Sequence, residues 1–437
     1  MTNSIFADDF QQSVYWLDGQ DDQTSAESQN LPARVDAVVI GSGLAGSSAA
    51  HALAIGGRDV IVIDRGSIGG GASSRNAGML GKGSRASYLG LAKAEGHDAA
   101  KRYFSELQSI YDEAVSRIRD EQFDCELRES GRFIGALRPD HLERLIKEYE
   151  ARAEHLGEDV STIRGAPEGV VGSNQYFGGV FLKDSMSVQP ASYTAAMVRR
   201  AAEAGARFFD HTMAKGISRI GDKFEVQTSR GTLLCNNVVV ATNGYGGREL
   251  PFATARLLPI NAYMVLTEEL PQDLLDSVCP ARSTNVDSTR ANRYYQLTSD
   301  GRRLIFGARS GRRPPGPLTR VARGIHQDLS YLFPQLAGVK FSRLWAGRCA
   351  APMDLSPHLI QHDGVHYAVG FSFTGLALAP YLGRLAGEWI VSGKAPQTAF
   401  ANAEFQRLPR MARLLRPLSA PVATRYFAWV DRPVRRV

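Results

Sequence analysis

The chain has 437 residues, of which 43% are hydrophobic and 22% charged, enough apolar content for a large globular core and too much for a disordered or fibrous chain. Its formal net charge is +6, but much of the excess lies in one stretch where Arg407, Arg410, Arg413, Arg416, Arg425, Arg432, Arg435 and Arg436 face only Asp431, which is weaker evidence for a nucleic-acid partner than a basic fold would be. Cys125, Cys235, Cys279 and Cys349 are scattered with no CxxC pair, which excludes a redox dithiol or half a zinc site and suits a reduced cytoplasm.

The opening MTNSIFADDFQQSVYWLDG carries acidic and amide groups where a secretory signal needs a basic start and an apolar run. No apolar stretch reaches the roughly 18 residues of a membrane helix. A cytoplasmic protein without integral membrane association is expected. Residues 17–34 read as an irregular lead-in. VDAVVI (35–40) then reads as a strand, a glycine turn follows, SSAAHALAIG places small apolar residues at helical spacing, and RDVIVID (58–64) reads as a second strand, completing a βαβ unit. Gly41, Gly43 and Gly46 match GxGxxG at the helix start, and Asp64 lies 18 residues beyond Gly46. Such glycines permit a tight turn and close approach to a pyrophosphate, the helix N-terminus supplies N–H groups and a positive dipole end, and Asp64 can accept from ribose hydroxyls. Which dinucleotide is held does not follow from this motif.

GGGASSRNAGML (69–80) comes at once after Asp64, where a nicotinamide-binding fold would begin its next helix. Its Ser, Arg and Asn side chains offer donors with little bulk, a composition suited to a chain passing a pyrophosphate and a flat ring; a polar surface loop is the alternative. Residues 91–160 look helical and charged. A strand, turn and helix follow, with Gly205 placed to cap the helix, and then strands at KFEVQT and NNVVVAT. From Pro251 to about Lys340 strands dominate (INAYMVLTEE, NRYYQLTS, RLIFGAR), with a short helix at VARGIHQDLSYLF. After Trp345 come the strand VHYAVG and the long helix TGLALAPYLGRLAGEWIVSG. The economical reading is an α/β fold. A discontinuous Rossmann-type dinucleotide-binding domain (31–90, 165–250 and 340–402) is interrupted by a substrate-binding domain with a mixed or antiparallel sheet (91–164 and 251–339), and 403–437 form a basic tail.

At these motifs the sequence resembles the D-amino-acid oxidase superfamily of FAD enzymes, in particular the branch of gamma-glutamylputrescine oxidases and other bacterial amine oxidases. That branch typically carries GASGRNGG where this chain has GASSRNAG. The resemblance extends over Tyr15-Trp16, VVVATNGY (238–245), YYQLTSDGRRLIFGAR (294–309), LFPQLAGV (332–339), Trp345-x-Gly347 with Pro357, and GFSFTGLAL (370–378), which stands where the family has GFSGHGL. It implies a glutathione-reductase-2-like architecture with FAD as cofactor. Gly41, Gly43, Leu44, Ala45, Gly46, Asp64 and Arg65 would then lie on the ADP half, and Ala72, Ser73, Ser74, Arg75, Asn76, Ala77 and Gly78 beside the pyrophosphate and isoalloxazine. Ala214 would lie near the adenine, Thr242, Asn243 and Gly244 near the ribityl chain, and Gly370 through Leu376, with Thr374 and Gly375, near the flavin pyrimidine. A helix starting near Thr374 would aim its positive end at the anionic side of a reduced flavin. Phe373 and Thr374 replace the family's Gly-His, so substrate preference is not simply inherited.

Tyr263, Tyr295 and Arg309 come from the sheet that faces the flavin in this family and are the candidate catalytic residues; of the adjacent Tyr294 and Tyr295, one must point the opposite way. Arg309 either holds a substrate carboxylate or is solvated beside Arg312 and Arg313. Cys349 falls near the position where monomeric sarcosine oxidases link a cysteine to flavin, and the competing reading is a structural thiol. His358, His362 and His366 recur every four residues, but Pro357 and Asp363-Gly364 make the segment a hairpin that scatters them, so no metal is expected. The arginines of the tail either pack its helix on the protein or form a basic face for a membrane or RNA. No second GxGxxG and no dithiol are present, so electrons are expected from the substrate. The expected reaction is FAD-dependent oxidation of a C–N bond in an amine or amino acid by hydride transfer, with O2 as acceptor and no nucleic-acid partner. The rivals are a dehydrogenase passing electrons to a quinone or carrier protein, and a tRNA-modifying oxidase.

Overall fold

The computed structural model describes residues 4–19, 30–289, 292–309 and 318–409. The stretch VVI is fully apolar, and in the strands Arg34–Ile40 and Val60–Ile63 nearly every side chain is buried. Burial on both faces is what a central parallel strand requires. The two strands pair in parallel, flanked by Arg207–Phe209 on one side and Gly231–Val240 on the other. Lys223–Thr228 and Ala214–Ile220 continue this eight-stranded sheet antiparallel, while Val365–Val369 joins Gly231–Val240 in parallel and pairs with His358–His362.

Two helices cover this sheet side by side. Leu44–Ile55 begins in the glycine turn, and Gly375–Ser392 follows the last strand. Glycines let their backbones touch: a Cβ on Gly383 would lie 2.0 Å from the Ala45 carbonyl oxygen, and one on Gly387 2.7 Å from that of Ala49. Both helices therefore present their N-termini in the same region, beyond the carboxyl ends of the parallel strands, where open α/β sheets bind ligands.

A second sheet has nine strands in the order Phe6–Gln11, Phe341–Ala351, Leu258–Thr267, Leu304–Arg309, Arg293–Leu297, Thr284–Asp287, Arg132–Gly135, Gly178–Leu182 and Val160–Arg164. It is mixed, parallel at its first pair and between Thr284–Asp287 and Arg132–Gly135. Its far face packs on the helix Thr319–Leu332 through Val265, Phe306, Tyr295 and Leu329. Gly178–Leu182 and Phe341–Ala351 belong to this sheet, although chain order groups them with the dinucleotide-binding segments. The strands Arg132–Gly135 and Val160–Arg164 are only four and five residues long, which leaves no period to read amid the charged helices His97–Asp120 and Pro139–Leu156. Gly205 follows its helix with φ +106°, as a left-handed cap requires.

Among the described residues no helix is long and apolar enough to cross a membrane, and no three His, Cys, Asp or Glu side chains are grouped to hold a metal ion. The Asp363-Gly364 turn has φ +49° and +81°, the geometry of a two-residue hairpin. It sends His358 to Asp354, His362 onto the Phe252 ring and His366 against Trp389. Most of the basic tail lies outside the described residues.

Candidate active site

Between the two sheets runs a cavity of about 900 Å³. Its floor is the glycine turn. Gly41 has φ +105°, and a Cβ there would sit 2.9 Å from the Ala241 carbonyl oxygen. A Cβ on Gly46 would sit 1.8 Å from the Gly41 carbonyl oxygen, so Gly46 closes the turn and does not line the cavity, whereas Gly41, Gly43, Leu44 and Ala45 do. Gly43 is the N-cap and brings no side-chain cap, so the first N–H groups of the helix are satisfied only from outside it; Ser73 Oγ accepts from Leu44 N at 3.0 Å. The Asp64 carboxylate accepts from Ser42 N and Oγ (2.9 and 2.7 Å) and from Gly66 N (3.0 Å). Three bonds to a group with about four acceptor sites leave room for a further donor. Arg65 and Ala214 line the same end.

The loop Ala72–Gly78 is held from the nine-stranded sheet and from the turn Tyr15–Leu17. Trp16 Nε1 donates to the Asn76 carbonyl (2.8 Å), Trp345 Nε1 to the Arg75 carbonyl (3.1 Å) and Gln296 Nε2 to the Ala77 carbonyl (2.6 Å). Asn76 folds back on its own loop, donating to the Ser73 carbonyl (2.7 Å) and accepting from Gly78 N (2.8 Å). Arg75 Nε donates to the Gly70 carbonyl at 2.6 Å. Ala72, Ser73, Arg75, Asn76 and Ala77 line the cavity. Ser74 is buried, bonded to the Gly69 carbonyl, and Gly78 makes room for the Val188 carbonyl, 2.2 Å from where a Cβ would be.

Opposite this loop, Phe371, Phe373, Thr374, Gly375 and Leu376 line the cavity at the N-terminus of the second helix. Gly370, φ +86°, turns the chain, and its N–H donates to Asn243 Oδ1 at 3.0 Å. Thr242 and Asn243 line the cavity; Thr242 Oγ1 is buried with no partner among the described residues, while Gly244 packs on the Cys349 backbone. Cys349 lines the cavity and its Sγ accepts from Phe373 N at 3.1 Å.

The nine-stranded sheet forms the remaining wall, and its register sets which side chains face in. Ile134, Val286, Tyr294, Gly307, Met264 and Trp345 lie in one row across five strand pairings, and Ile134, Val286, Tyr294 and Met264 line the cavity. Gly307 leaves the space that the Tyr294 ring occupies. Side chains alternate along a strand, so Tyr263 and Tyr295 point the other way, into the core under the helix Thr319–Leu332. The structure thus corrects the expectation for both: Tyr295 hydrogen-bonds Tyr176 at 3.2 Å, and burial raises the pKa of each phenol, Tyr295's far above its usual value. Arg309 ends its strand opposite Ala262; its side chain lies outside the described residues.

Charge is unevenly matched along the walls. Asp184 pairs with Lys82, Glu158 with Arg152 at 2.7 Å and Asp287 with Arg293 at 2.9 Å. Arg75, Arg85, Arg132 and Arg348 line the cavity too. Among the described residues no carboxylate forms an ion pair with any of these four; their partners are backbone carbonyls, Thr284 and Asn261. Arg85, Arg132 and Arg348 were not singled out from sequence; Arg348, next to the singled-out Cys349, had the clearest signal.

The residues present suit a flavin dinucleotide: a glycine cradle that any Cβ would fill, a helix N-terminus whose N-cap is a glycine, a carboxylate with acceptor capacity, and the buried Thr242 hydroxyl, unpartnered among the described residues. The family model described as FAD dependent oxidoreductase matches residues 36–389. The chain is 28% identical over 371 residues to a probable oxidoreductase OrdL of Rhizobium meliloti, covering 83% of this chain and 84% of that protein. It is 27% identical over 424 residues to the gamma-glutamylputrescine oxidoreductase of Escherichia coli, covering 96% and 98%. Its fold is similar to the crystal structure of glycine oxidase from Geobacillus kaustophilus, with a TM-score of 0.68 and 22% identity over 87% of this chain and all of that one.

Proposed function

Because the chain belongs to the family of FAD-dependent oxidoreductases, we propose that its central cavity holds FAD along Gly41–Gly46, Asp64 and the loop Ala72–Gly78, and that it oxidises a C–N bond of an amine or amino acid. The observation that carries the reading is the convergence of two helix N-termini on one cavity, the first beside Asp64 and the second at Thr374–Leu376. The first supplies N–H groups to a pyrophosphate, with Asp64 accepting from ribose hydroxyls. The second stabilises negative charge in front of it. When bound, FAD supplies the acceptor for the hydride that leaves the α-carbon of the amine.

The protein's part is orientation and electrostatics. Tyr294, Met264 and Ile134 form an apolar wall for the substrate. Arg85 and Arg348 disfavour an ammonium ion nearby, so the amine enters as the neutral form, its proton left with water outside the cavity; no dedicated base is required. The relative named for gamma-glutamylputrescine acts, by that name, on an amine, which supports the substrate class. Electrons pass to O2, giving hydrogen peroxide. The substrate is a small molecule, with neither nucleic acid nor a membrane span involved.

Reduced enzyme mixed with air tests the acceptor: rapid return of the oxidised visible spectrum with stoichiometric peroxide supports an oxidase. Persistence of the bleached form until a quinone is added would make the protein a dehydrogenase.

A further inference from the structure

Phe373 is the cavity residue whose backbone least suits its side chain. The chain reverses over Gly370–Thr374 to start the helix Gly375–Ser392, and Ser372 and Phe373 both sit in the left-handed region, at φ +46° and +71°. A bulky residue there is strained, and such strain persists only where the surroundings fix it.

The surroundings do fix it, without help from the ring. Ser372 N donates to the Ala350 carbonyl at 3.1 Å, Phe373 N to Cys349 Sγ at 3.1 Å and Thr374 N to the Phe371 carbonyl at 2.8 Å. The Ser372 carbonyl accepts from Arg85 Nε at 3.0 Å. On the side of residues 372–374 every one of these bonds is made by backbone, so a glycine at 373 would keep them all and lose the strain. Nor does the fold take its packing here from Phe373. Phe371 supplies the apolar contact of this turn, 5% exposed in the core shared by both helices, whereas Phe373 is half-buried and lines the cavity. The Arg85 guanidinium lies 5.6 Å from the centroid of the Phe373 ring, a cation–π contact. That cation repels an ammonium, so the group that meets Phe373 from the cavity is neutral and apolar.

We infer that Phe373 determines which amines fit. Its ring takes up the space before the helix Gly375–Ser392 that a glycine at this left-handed position would leave open, and it admits only an amine whose hydrocarbon substituent on that side is slim and unbranched. This rests on the proposed amine oxidation and deepens it: the strained backbone is kept for the contact of the ring with substrate, not for the fold.

The test uses the flavin-loaded enzyme with Phe373→Gly and Phe373→Ala, which both remove the ring and differ by one Cβ on a left-handed backbone. Unbranched amines from butylamine to octylamine are compared with benzylamine and cyclohexylmethylamine by anaerobic bleaching. The parent should favour the unbranched amines. Both variants should shift the ratio of kcat/KM toward the ring-bearing amines by about 10-fold or more, since a single methylene in an apolar pocket already changes such ratios roughly 10- to 200-fold. Phe373→Gly should keep its flavin and melt within about 3 °C of the parent, with Phe373→Ala melting below Phe373→Gly. Equal use of both kinds of amine by the parent, or an unchanged ratio in both variants, would overturn the inference and leave amine oxidation standing. So would a larger fall in the melting temperature of Phe373→Gly, the mark of a ring that the core needs, or a Phe373→Ala variant no less stable than Phe373→Gly. Should no amine bleach the flavin, amine oxidation is what fails. Benzyl alcohol titrated against the visible band of the loaded protein then decides for Phe373: binding tightened about 10-fold or more in Phe373→Gly sustains the size limit, and binding equal in the two proteins or absent from both overturns it.

Discussion

The indole N–H of Trp345 donates to the carbonyl of Arg75, 3.1 Å away and 270 residues distant in sequence. With Trp16, which donates to the next carbonyl of the same loop at 2.8 Å, it ties the loop Ala72–Gly78 to the large sheet. Trp16 is itself fixed, its carbonyl accepting from Gln189 Nε2 at 2.9 Å. The loop's shape is thus imposed by two buried indoles from opposite ends of the chain.

Trp16→Phe and Trp345→Phe should each keep the ring packing and lose one hydrogen bond, leaving a carbonyl without its donor at a cost of ~1–3 kcal/mol. If that loop holds the flavin, both variants release it about 5- to 160-fold more readily. Flavin dissociation followed by fluorescence checks this, and unchanged affinity in both would remove the loop from the cofactor site.

Substitutions in the glycine turn should separate folding from binding. Gly46→Ala drives a Cβ into the Gly41 carbonyl, so a loss of folded protein is expected. Gly41→Val meets Ala241 backbone at a φ of +105° and should also distort the turn, not merely crowd a ligand. At Gly43 a Cβ meets only Ser73 Oγ, 2.7 Å away, and that side chain can rotate. Gly43→Ala should fold with near-parent thermal stability but hold less flavin, as circular dichroism beside the visible spectrum would show.

Tyr294 and Tyr295 should behave oppositely. Tyr294→Phe changes the cavity wall and should alter kcat/KM with little change in stability. Tyr295→Phe breaks the buried bond to Tyr176 and should cost ~1 kcal/mol of stability with kcat/KM retained. Steady-state kinetics and thermal melts on the pair decide which tyrosine faces the substrate.

His366 gives a pH signature to stability. Burial holds its pKa down at about 4, against roughly 6.5 when unfolded. Above pH 6.5 both states are neutral there and the residue has no effect on the pH slope. Between pH 6.5 and about 4 only the unfolded state takes up the proton, so stability should fall as pH drops, by ~3 kcal/mol over the window. The melting temperature of His366→Gln, compared with the parent from pH 7 to 4, should decline less steeply; parallel curves would contradict the assignment.

The Cys349 thiol is engaged by Phe373 N–H, which favours a structural thiol. Acid precipitation should therefore leave a colourless pellet and free flavin in solution; a yellow pellet would establish a covalent link.

Local features were readable from sequence and long-range ones were not. The glycine turn with Asp64 was legible because the turn, helix start and second strand lie within 30 residues and each glycine has a steric reason. The hairpin at Asp363-Gly364 was legible from turn chemistry. For Tyr294 and Tyr295 the alternation was clear, but its phase was not, since that depends on which face of a nine-stranded sheet receives the helix Thr319–Leu332. Arg132 gave no signal: its strand has four residues, and its place in the cavity wall is set by long-range pairing with Thr284–Asp287 and Gly178–Leu182. The strand Phe341–Ala351 was not legible as a strand, and its place in the large sheet comes from pairing with Leu258–Thr267, which chain order does not reveal.

Anaerobic mixing of the flavin-loaded protein with a panel of amines, ω-aminocarboxylates and amino acids of both hands, read at the flavin's visible band, bears most directly on what this site does. Bleaching by a member of the panel, with the corresponding imine or carbonyl product recovered, is expected for C–N oxidation in this cavity. A fully loaded flavin that no amine or amino acid bleaches, while an alcohol or hydroxy acid does, would contradict it.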